Sequence, residues 1–454
     1  MTSMNYRHIH FIGVGGIGVS GLAKLMSAKG FSVSGSDAFQ SVLTEEVAAL
    51  GIPVKIGHRT KNLPAAADLV VYSEAVPAEN PERLEAARRK TRVLAAAEFI
   101  GEFTRDKKTV TVSGTNGKST TTAMLGLILE AAGLDPTVIV GSKVPNFPLG
   151  SVRAGKSDLV VLEADEYRAK YLNYHPSMIV LTNIEEDHLD FYTGLPEIAE
   201  TFDRYLTNLK AGGTVVLNAD DPVSGELHLP ERVVKYSLLE KEADFSARNF
   251  VVQNGRQSFE VLSGGQSLGK FTLKIPARYN VANALAAIAA AVNLDVSVKV
   301  IREILANFSG IWRRFEFVGE WRGATVISDY GHHPTAVRGT IAAAREFFPG
   351  RRVVLVFEPH QHNRTRRLFD DFAAAIKTAD AAIITEVYEV AGREDGERVS
   401  ADELATACGI KEVIAGGSLD TTLAAVEKIA QPDDVIIFMG AGDIDTLSRR
   451  ICRK

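Results

Sequence analysis

The sequence predicts an α/β protein of three domains, each built on an open sheet with helical crossovers. Three observations carry that prediction. Short apolar, β-branched runs alternate with helical segments along the whole chain, the order that parallel sheets require. Two glycine-rich turns, GVGGIG at 13–18 and GTNGKS at 114–119, each leave a strand and open a helix. The 454 residues exceed what one ordinary core holds, and at roughly 150 residues per domain the chain divides in three. The expected parts are 1–105, an N-terminal Rossmann-like domain; 106–315, a central P-loop ATPase-type domain with a small antiparallel patch; and 316–454, a C-terminal Rossmann-like domain.

Composition bounds the function. With 46% hydrophobic and 24% charged residues and no low-complexity tract, the chain reads as a soluble globular protein. A net charge of −5 offers no basic face, so no nucleic-acid partner is expected. Cys408 and Cys452 stand far apart and in no metal spacing, which excludes a disulfide framework or a zinc site and suits a reducing cytoplasm. The apolar stretch His10–Ala23 behind Arg7 imitates a signal segment. It contains five glycines, however, and continues into LAKLMSAKG without a cleavage site. No membrane insertion is expected, and the location is read as cytoplasmic.

In the first domain, residues 8–37 are strand, glycine turn, helix and second strand. Gly13, Gly15, Gly16 and Gly18 satisfy the dinucleotide fingerprint, and Asp37 follows the second strand at about the ribose-binding distance. At this level an NAD enzyme and a nucleoside-diphosphate-sugar binder look the same, and the glycines also suit a close helix–strand crossing. ADLVVYSEAV (67–76) adds a buried strand that ends near Ser73, and TRVLAAAEFIGEF another unit.

The second domain opens on KKTVTVSGTNGKSTTTAMLGLILEAAG (107–133). The strict phosphate-loop pattern fails because position 112 is valine; the shorter Gly114-Thr115-Asn116-Gly117-Lys118-Ser119-Thr120 stands in its place. Glycines let backbone N–H groups close around oxyanions, the helix N-terminus adds partial positive charge, Lys118 can reach terminal phosphate oxygens and Ser119 can hold Mg²⁺. The lysine is read as an exposed loop residue whose loss leaves stability nearly unchanged. SDLVVLEADEY (157–167) is a buried strand ending in Glu163, Asp165 and Glu166, beside the neighbouring loop where a nucleotide's metal would lie. PSMIVLTNIEEDHLDFY (176–192) is another, ending in Asn183, Glu186, Asp187, His188 and Asp190; His188 is either a metal ligand or a packed strand-end histidine. Residues 231–275 switch to shorter alternating strands. In the helix PARYNVANALAAIAAAVNL, Asn280 and Asn283 lie at i and i+3, placed to read a base edge, hold a phosphate neighbour or cap the helix. Arg313 and Arg314 follow near the expected hinge.

In the third domain, strand–loop–helix units recur. One loop is Asp329-Tyr330-Gly331-His332-His333-Pro334; the next carries His360, His362, Arg364 and Arg366, basic groups suited to a carboxylate. MGAGD (439–443) closes a last strand with a turn that either touches phosphate or merely turns.

Taken together, GVGGIG with GSD, SGTNGKSTTT, EADE, TNIEEDH, YNVANALAA, RRFE, DYGHHPT, FEPHQHNRT and MGAGDI resemble the Mur ligase family over essentially the whole length. These are ATP-dependent amino-acid ligases of peptidoglycan precursor synthesis, with a UDP-substrate domain, an ATPase domain and an amino-acid-binding domain. The resemblance lies nearest the members that add L-alanine to UDP-N-acetylmuramate. It implies ATP and Mg²⁺ as cofactors and an acyl phosphate on the way, with ADP and phosphate as products. It also implies Lys118 on the ATP phosphates; Ser119, Glu163 and His188 around Mg²⁺; Asn280 and Asn283 at adenine; Arg314 at nucleotide phosphate; and Asp329 at ribose or in closure. Tyr330, His360 and Arg364 fall in the alanine pocket, and Gly15, Gly16, Gly18, Asp37 and Ser73 on the uridine diphosphate. Lys118, Glu163, His188, Arg314 and His360 are the catalytic candidates.

The departures point elsewhere. Asn116 and Ser119 replace the usual loop residues of the alanine ligases, and EADEY, Glu358 and VPNF lean toward the murein tripeptide recycling ligase. That ligase is the alternative activity. An NAD-dependent oxidoreductase, the alternative of another class, leaves the second phosphate loop, Glu163 and His188 without a task. ADP release that depends on both a UDP-sugar and an amino acid separates the classes. The sequence sets no oligomeric state.

Overall fold

A glycine turn needs a strand to deliver it and a helix to leave by, and the computed structural model of the chain shows both at each turn. It describes residues 6–188, 191–239, 242–253, 255–389, 398–410 and 412–453. The first sheet has five parallel strands in the order Val54–Ile56, Ser32–Asp37, His8–Ile12, Leu69–Tyr72, Arg92–Ala95. Chain order runs outward from His8–Ile12 to both sides, so the loops after it and after Ser32–Asp37 and Leu69–Tyr72 open on one crevice at the carboxyl ends of the strands.

The second sheet has ten strands and is mixed. Its parallel centre places Lys108–Ser113 between Leu159–Glu163 and Met178–Leu181, all three nearly free of solvent. One end closes with the antiparallel pair Thr137–Ile139 and Val152–Arg153. The other ends with Phe245–Gln253, Arg256–Ser263 and Gln266–Leu273, neighbours joined by short links that only antiparallel strands permit. The third sheet has six strands in the order Glu316–Trp321, Ala324–Asp329, Val435–Met439, Val353–Phe357, Ala381–Thr385, Val413–Gly417, parallel except for the first pair. Helices cover both faces, and its four inner strands are almost wholly buried, as a parallel sheet demands. The architecture is therefore the three-sheet α/β arrangement the sequence predicts.

The chain forms two compact units. One comprises Met1–Arg248, Glu260–Gly269 and Ala282–Leu305; the other comprises Asn249–Phe259, Lys270–Val281 and Ala306–Lys454. Within the first unit a single apolar cluster runs from Ile9 and Phe11 through Phe99 and Phe103 to Tyr171, Phe202 and Leu217, so the first two sheets share one core. The helix Ile17–Ala28 fastens them: Lys29 Nζ donates to Gly155 O at 2.9 Å, and Lys24 and Lys143 both clasp Glu46, at 2.8 and 2.6 Å. Among the described residues no helix is long and apolar enough to cross a membrane, and both cysteines are free.

The first sheet buries an ionised group. Glu82, near the start of the helix Pro81–Arg88, has no exposed surface and receives His10 Nε2 at 2.8 Å, Ser36 Oγ at 2.7 Å and His58 Nδ1 at 2.9 Å. Burial pushes its carboxyl upward, but the hydrogen bonds from His10, Ser36 and His58 outweigh it and hold the pKa at about 2. A carboxyl depressed in the folded state stabilises above its unfolded pKa, near 4.5, and loses that contribution as pH falls toward about 2. The stability difference between the parent and Glu82→Gln should thus be level above pH ~5 and shrink below it by on the order of 3 kcal/mol. Urea unfolding across acid pH measures it; a pH-independent gap would show that folding leaves the carboxyl's pKa unshifted, and a gap that grows below pH ~5 would show it raised.

Candidate functional site

The second glycine turn is shaped to receive phosphate. Lys108–Ser113 hands the chain to the helix Lys118–Ala131 through Gly114 (φ 123°) and Gly117 (φ 84°), both left-handed. A Cβ on Gly114 would lie 2.2 Å from Thr182 Oγ1, and one on Gly117 2.1 Å from Asn283 Oδ1, so only glycine fits either place. The strand that ends at Leu181 holds the loop from behind: Thr115 N donates to Asn183 O at 2.8 Å, Asn116 N to Asn183 Oδ1 at 2.9 Å, and Thr182 Oγ1 to Asn116 O at 2.7 Å. The first intrahelical bond is from Thr121 N to Gly117 O. The N–H groups of Lys118, Ser119 and Thr120 precede it and have no helical acceptor, the ready-made anion site of a helix N-terminus.

Lys118 differs from the exposed loop lysine expected of the sequence. Its Nζ donates to Gly114 O at 2.6 Å, Thr115 O at 3.1 Å and both oxygens of Glu166 at 2.9 and 2.8 Å, and only 3% of the Glu166 side chain is exposed. The loop curls over the ammonium while the neighbouring strand brings a carboxylate beneath it. Burial would lower the lysine pKa, but the charges of Glu166 and Asp165 raise it, so the group stays cationic.

Two oxygen-rich clusters flank this cation. In one, Ser119 Oγ donates to Glu163 Oε1 at 2.9 Å, while Gly141 N holds Glu163 Oε2 at 2.6 Å. In the other, Asp165, Glu166 and His188 each bring a ligand atom within 4.8 Å of the rest. His188 has left-handed backbone (φ 53°), lies against the Tyr167 ring at 4.7 Å and points Nε2 at Glu166 Oε1, 3.6 Å away. Burial lowers its pKa, and the Glu166 contact and the Asp187 charge more than restore it. A hydroxyl, carboxylates and an imidazole beside a phosphate loop fit a divalent cation. His188 stands next to Glu166, whereas Ser119 stands next to Glu163. Asp190 lies outside the described residues.

In the first sheet, Gly15 N donates to Asp37 Oδ2 at 2.6 Å, Gly16 precedes the helix as its cap, and Gly18 is in its first turn. Ser73 follows the strand Leu69–Tyr72, with its N–H on Ile12 O at 2.9 Å and its Cβ 2.9 Å from where a Cβ on Gly13 would be. Gly15 and Asp37 are in direct contact, and Ser73 stands against Gly13 of the same turn. Asp37 thus serves the turn directly, apart from any ribose.

The second unit gathers a different set. Asp329 accepts Phe315 N at 2.7 Å and Gly331 N at 2.8 Å; burial raises its pKa against the pull of Arg314. The guanidinium carbons of Arg313 and Arg314 lie 5.0 and 4.9 Å from the Tyr330 ring. Rings continue from Tyr330 to His332 (5.3 Å), His360 (5.7 Å) and Tyr388 (5.5 Å). Arg364 lies in the short helix His362–Arg367 of the same unit. Asn280 Nδ2, in the second unit, donates to Pro276 O at 2.7 Å; Asn283, three residues on but in the first unit, meets Gly117 of that unit as described.

Several residues in and beside these clusters are not among the candidates read from the sequence, Glu166, Arg313, Glu358 and Tyr388 among them. Glu166 was visible in EADE, but it lies beyond the strand end at Glu163, where alternation no longer says which way a side chain turns. Arg313, buried with a guanidinium nitrogen on Gly440 O, hides behind its twin Arg314. Glu358, 3% exposed, takes Ile444 N at 3.2 Å, and burial with the nearby Asp443 charge lifts its carboxyl to about 7. Tyr388 carries no sequence signal; only the sheet brings it to His360.

Comparison with known proteins matches three family models in order: Mur ligase family, catalytic domain, over residues 8–108; Mur ligase middle domain over 112–291; and Mur ligase, glutamate ligase domain, over 313–442. A UDP-N-acetylmuramate–L-alanine ligase of Sorangium cellulosum is 41% identical, over 98% of this chain and 95% of its own. Among solved structures, the UDP-N-acetylmuramate-alanine ligase of Thermotoga maritima superposes with a TM-score of 0.85 at 29% identity, covering 99% of both chains. A murein peptide ligase of Psychrobacter arcticus gives 0.72 at 26%, covering 98% of both.

Proposed function

The chain belongs to the Mur ligase family, and on that premise we propose that it joins L-alanine to UDP-N-acetylmuramate at the expense of ATP. It is an ATP-dependent amide-bond ligase. The observation that carries the choice of alanine is end-to-end likeness to L-alanine ligases, with closer fold agreement to one of these than to the murein peptide ligase.

The chemistry follows from the substrates. A carboxylate resists attack until one oxygen becomes a good leaving group. Transfer of the γ-phosphoryl group to the carboxylate of UDP-N-acetylmuramate forms an acyl phosphate and releases ADP. The neutral amine of L-alanine then attacks the acyl carbon, the carbon–oxygen bond to phosphate breaks, and the amine proton is lost to solvent or a base. Lys118 and the helix N-terminus stabilise charge on the transferring group. Ser119, Glu163 and His188, with Glu166 beside them, would hold Mg²⁺, which when bound would neutralise charge on phosphate oxygens. Thr115 and Asn116 shape the loop, Asn280 and Asn283 serve the adenine, and Arg314 and Asp329 the nucleotide. Gly15, Gly16, Gly18, Asp37 and Ser73 receive the UDP-sugar. Tyr330, His360 and Arg364 receive the amino acid, with Arg364 as the two-pronged partner of its carboxylate.

Phosphate release measured with ATP and UDP-N-acetylmuramate across a panel of amino acids and the murein tripeptide tests this. Turnover is expected with L-alanine and ADP as product. AMP and pyrophosphate would refute the scheme. Preferential use of the tripeptide would favour the recycling activity, to which Glu358 inclines. Arg364→Ala should raise the KM for L-alanine by about 30-fold or more while the KM values of ATP and UDP-sugar change little. Arg364→Lys should recover only part, since a point charge lacks the planar fork. A defect confined to the UDP-sugar KM would place this loop at the wrong substrate.

A further inference from the structure

Glu82 has no exposed surface, yet two separate chains of hydrogen bonds lead from it to the first glycine turn. The first passes through Ser36. Its hydroxyl donates to Glu82 Oε2 at 2.7 Å, and its carbonyl accepts Gly13 N at 2.8 Å and Val14 N at 3.1 Å. The second passes through the segment after Val54–Ile56. Asn62 Nδ2 donates to Glu82 Oε1 at 3.1 Å and to Gly57 O at 2.7 Å, Gly57 N donates to Asp37 O at 2.8 Å, and Asp37 Oδ2 accepts Gly15 N at 2.6 Å. His58 Nδ1 braces the same segment against Glu82 Oε1 at 2.9 Å. With Gly16 N on Gly13 O at 3.2 Å, the N–H groups of residues 13–16 are spent on the turn's own shape. Those of Ile17, Gly18 and Val19, ahead of the first intrahelical bond at Ser20, are left for a ligand.

Behind Glu82 nothing is loose. His10 joins it at 2.8 Å and is itself held by Ser34 Oγ at 2.8 Å, which also meets His8 Nε2 at 2.8 Å. Asn80 Oδ1 caps the helix under it at 2.9 Å from Glu82 N. A fully satisfied buried network of this kind rigidifies what it touches.

We infer that Glu82 is a positioning residue for the diphosphate-sugar substrate: one buried carboxylate sets the loops after three strands of the first sheet, and with them the turn that aims the Ile17–Val19 amides. The inference rests on the proposed reading that this crevice binds UDP-N-acetylmuramate. It extends that reading from the groups that meet the ligand to the group that holds them in place. A neutral amide at 82 offers one acceptor oxygen where the carboxylate offers two, so of the Ser36 and Asn62 arms at least one loses its charged acceptor and must weaken or reverse.

The test uses the full chain. Binding of UDP-N-acetylmuramate without ATP is measured by calorimetry, and KM for each substrate in the coupled assay. Glu82→Gln should weaken UDP-sugar binding and raise its KM roughly tenfold, as slight misplacement of a binding group does. The KM values of ATP and L-alanine, and kcat at saturation, should stay within about twofold. Ser36→Ala, which removes one arm, should move the same constants in the same direction by less, and it decides the matter if Glu82→Gln does not fold. Folded variants with unchanged UDP-sugar affinity, or with all three KM values raised together, would overturn the inference. A parent protein that turns over but binds no UDP-sugar at this crevice would overturn the reading beneath it instead. Gly18→Asp, which sets a carboxylate in the first turn of the helix whose amides would meet the diphosphate, then leaves binding unchanged.

Discussion

Lys118→Ala is expected to lower kcat by about 10²–10³, the roughly 3–4 kcal/mol that one preorganised charge contributes when aimed at a transferring phosphoryl group. The loss is expected in kcat more than in the KM for ATP, because the glycine turn and the helix N-terminus still bind phosphate. Burial of the pair adds a second consequence. Without the ammonium, Glu166 is left as a carboxylate 3% exposed, with His188 Nε2 at 3.6 Å as its remaining basic neighbour. Removing one member of a buried ion pair typically costs about 3 kcal/mol or more. Melting of Lys118→Ala should therefore shift downward, against what a loop lysine in the sequence suggests. The double variant Lys118→Ala/Glu166→Gln separates the two effects: stability should largely return and activity should not. A single variant within threefold of the parent kcat would remove Lys118 from phosphoryl transfer.

Glu163→Gln is expected to raise the Mg²⁺ concentration needed for half-maximal rate at least tenfold, within the 10–100-fold range typical of a perturbed metal site. The amide keeps the size of the side chain and can still accept from Ser119 Oγ or from Gly141 N, each of which the carboxylate now binds. What it lacks is the charge. A rate restored by excess Mg²⁺ would fit a weakened metal site, whereas a loss that no Mg²⁺ concentration relieves would make Glu163 a brace for Gly141 and Ser119. His188→Ala should act in the same direction. Equal Mg²⁺ profiles for parent and Glu163→Gln would exclude the carboxylate from the metal.

By itself the sequence determined whatever depends on neighbours in the chain. Apolar period, strand length and glycine placement announced three α/β sheets, and the two turns at 13–18 and 114–119 announced two places for anions, because a turn and its helix are local objects. The joint order of short motifs announced the family. Tertiary structure decided everything that depends on which strand lies beside which. Placing Leu159–Glu163 next to Lys108–Ser113 turned one carboxylate of EADE toward Ser119 and another under Lys118, and so made a buried ion pair of an apparently exposed lysine. Pairing of Val54–Ile56 with Ser32–Asp37, and of Leu69–Tyr72 with His8–Ile12, brought the loop at Gly57 and the helix that bears Glu82 to one glycine turn. The stacking of His360 on Tyr388 and the burial of Arg313 rather than Arg314 belong to the same class. The physical reason is that a side chain's charge state and partners are set by the dielectric and the donors around it, and many of those are supplied by residues as far as 22 to 127 positions away that no local pattern connects.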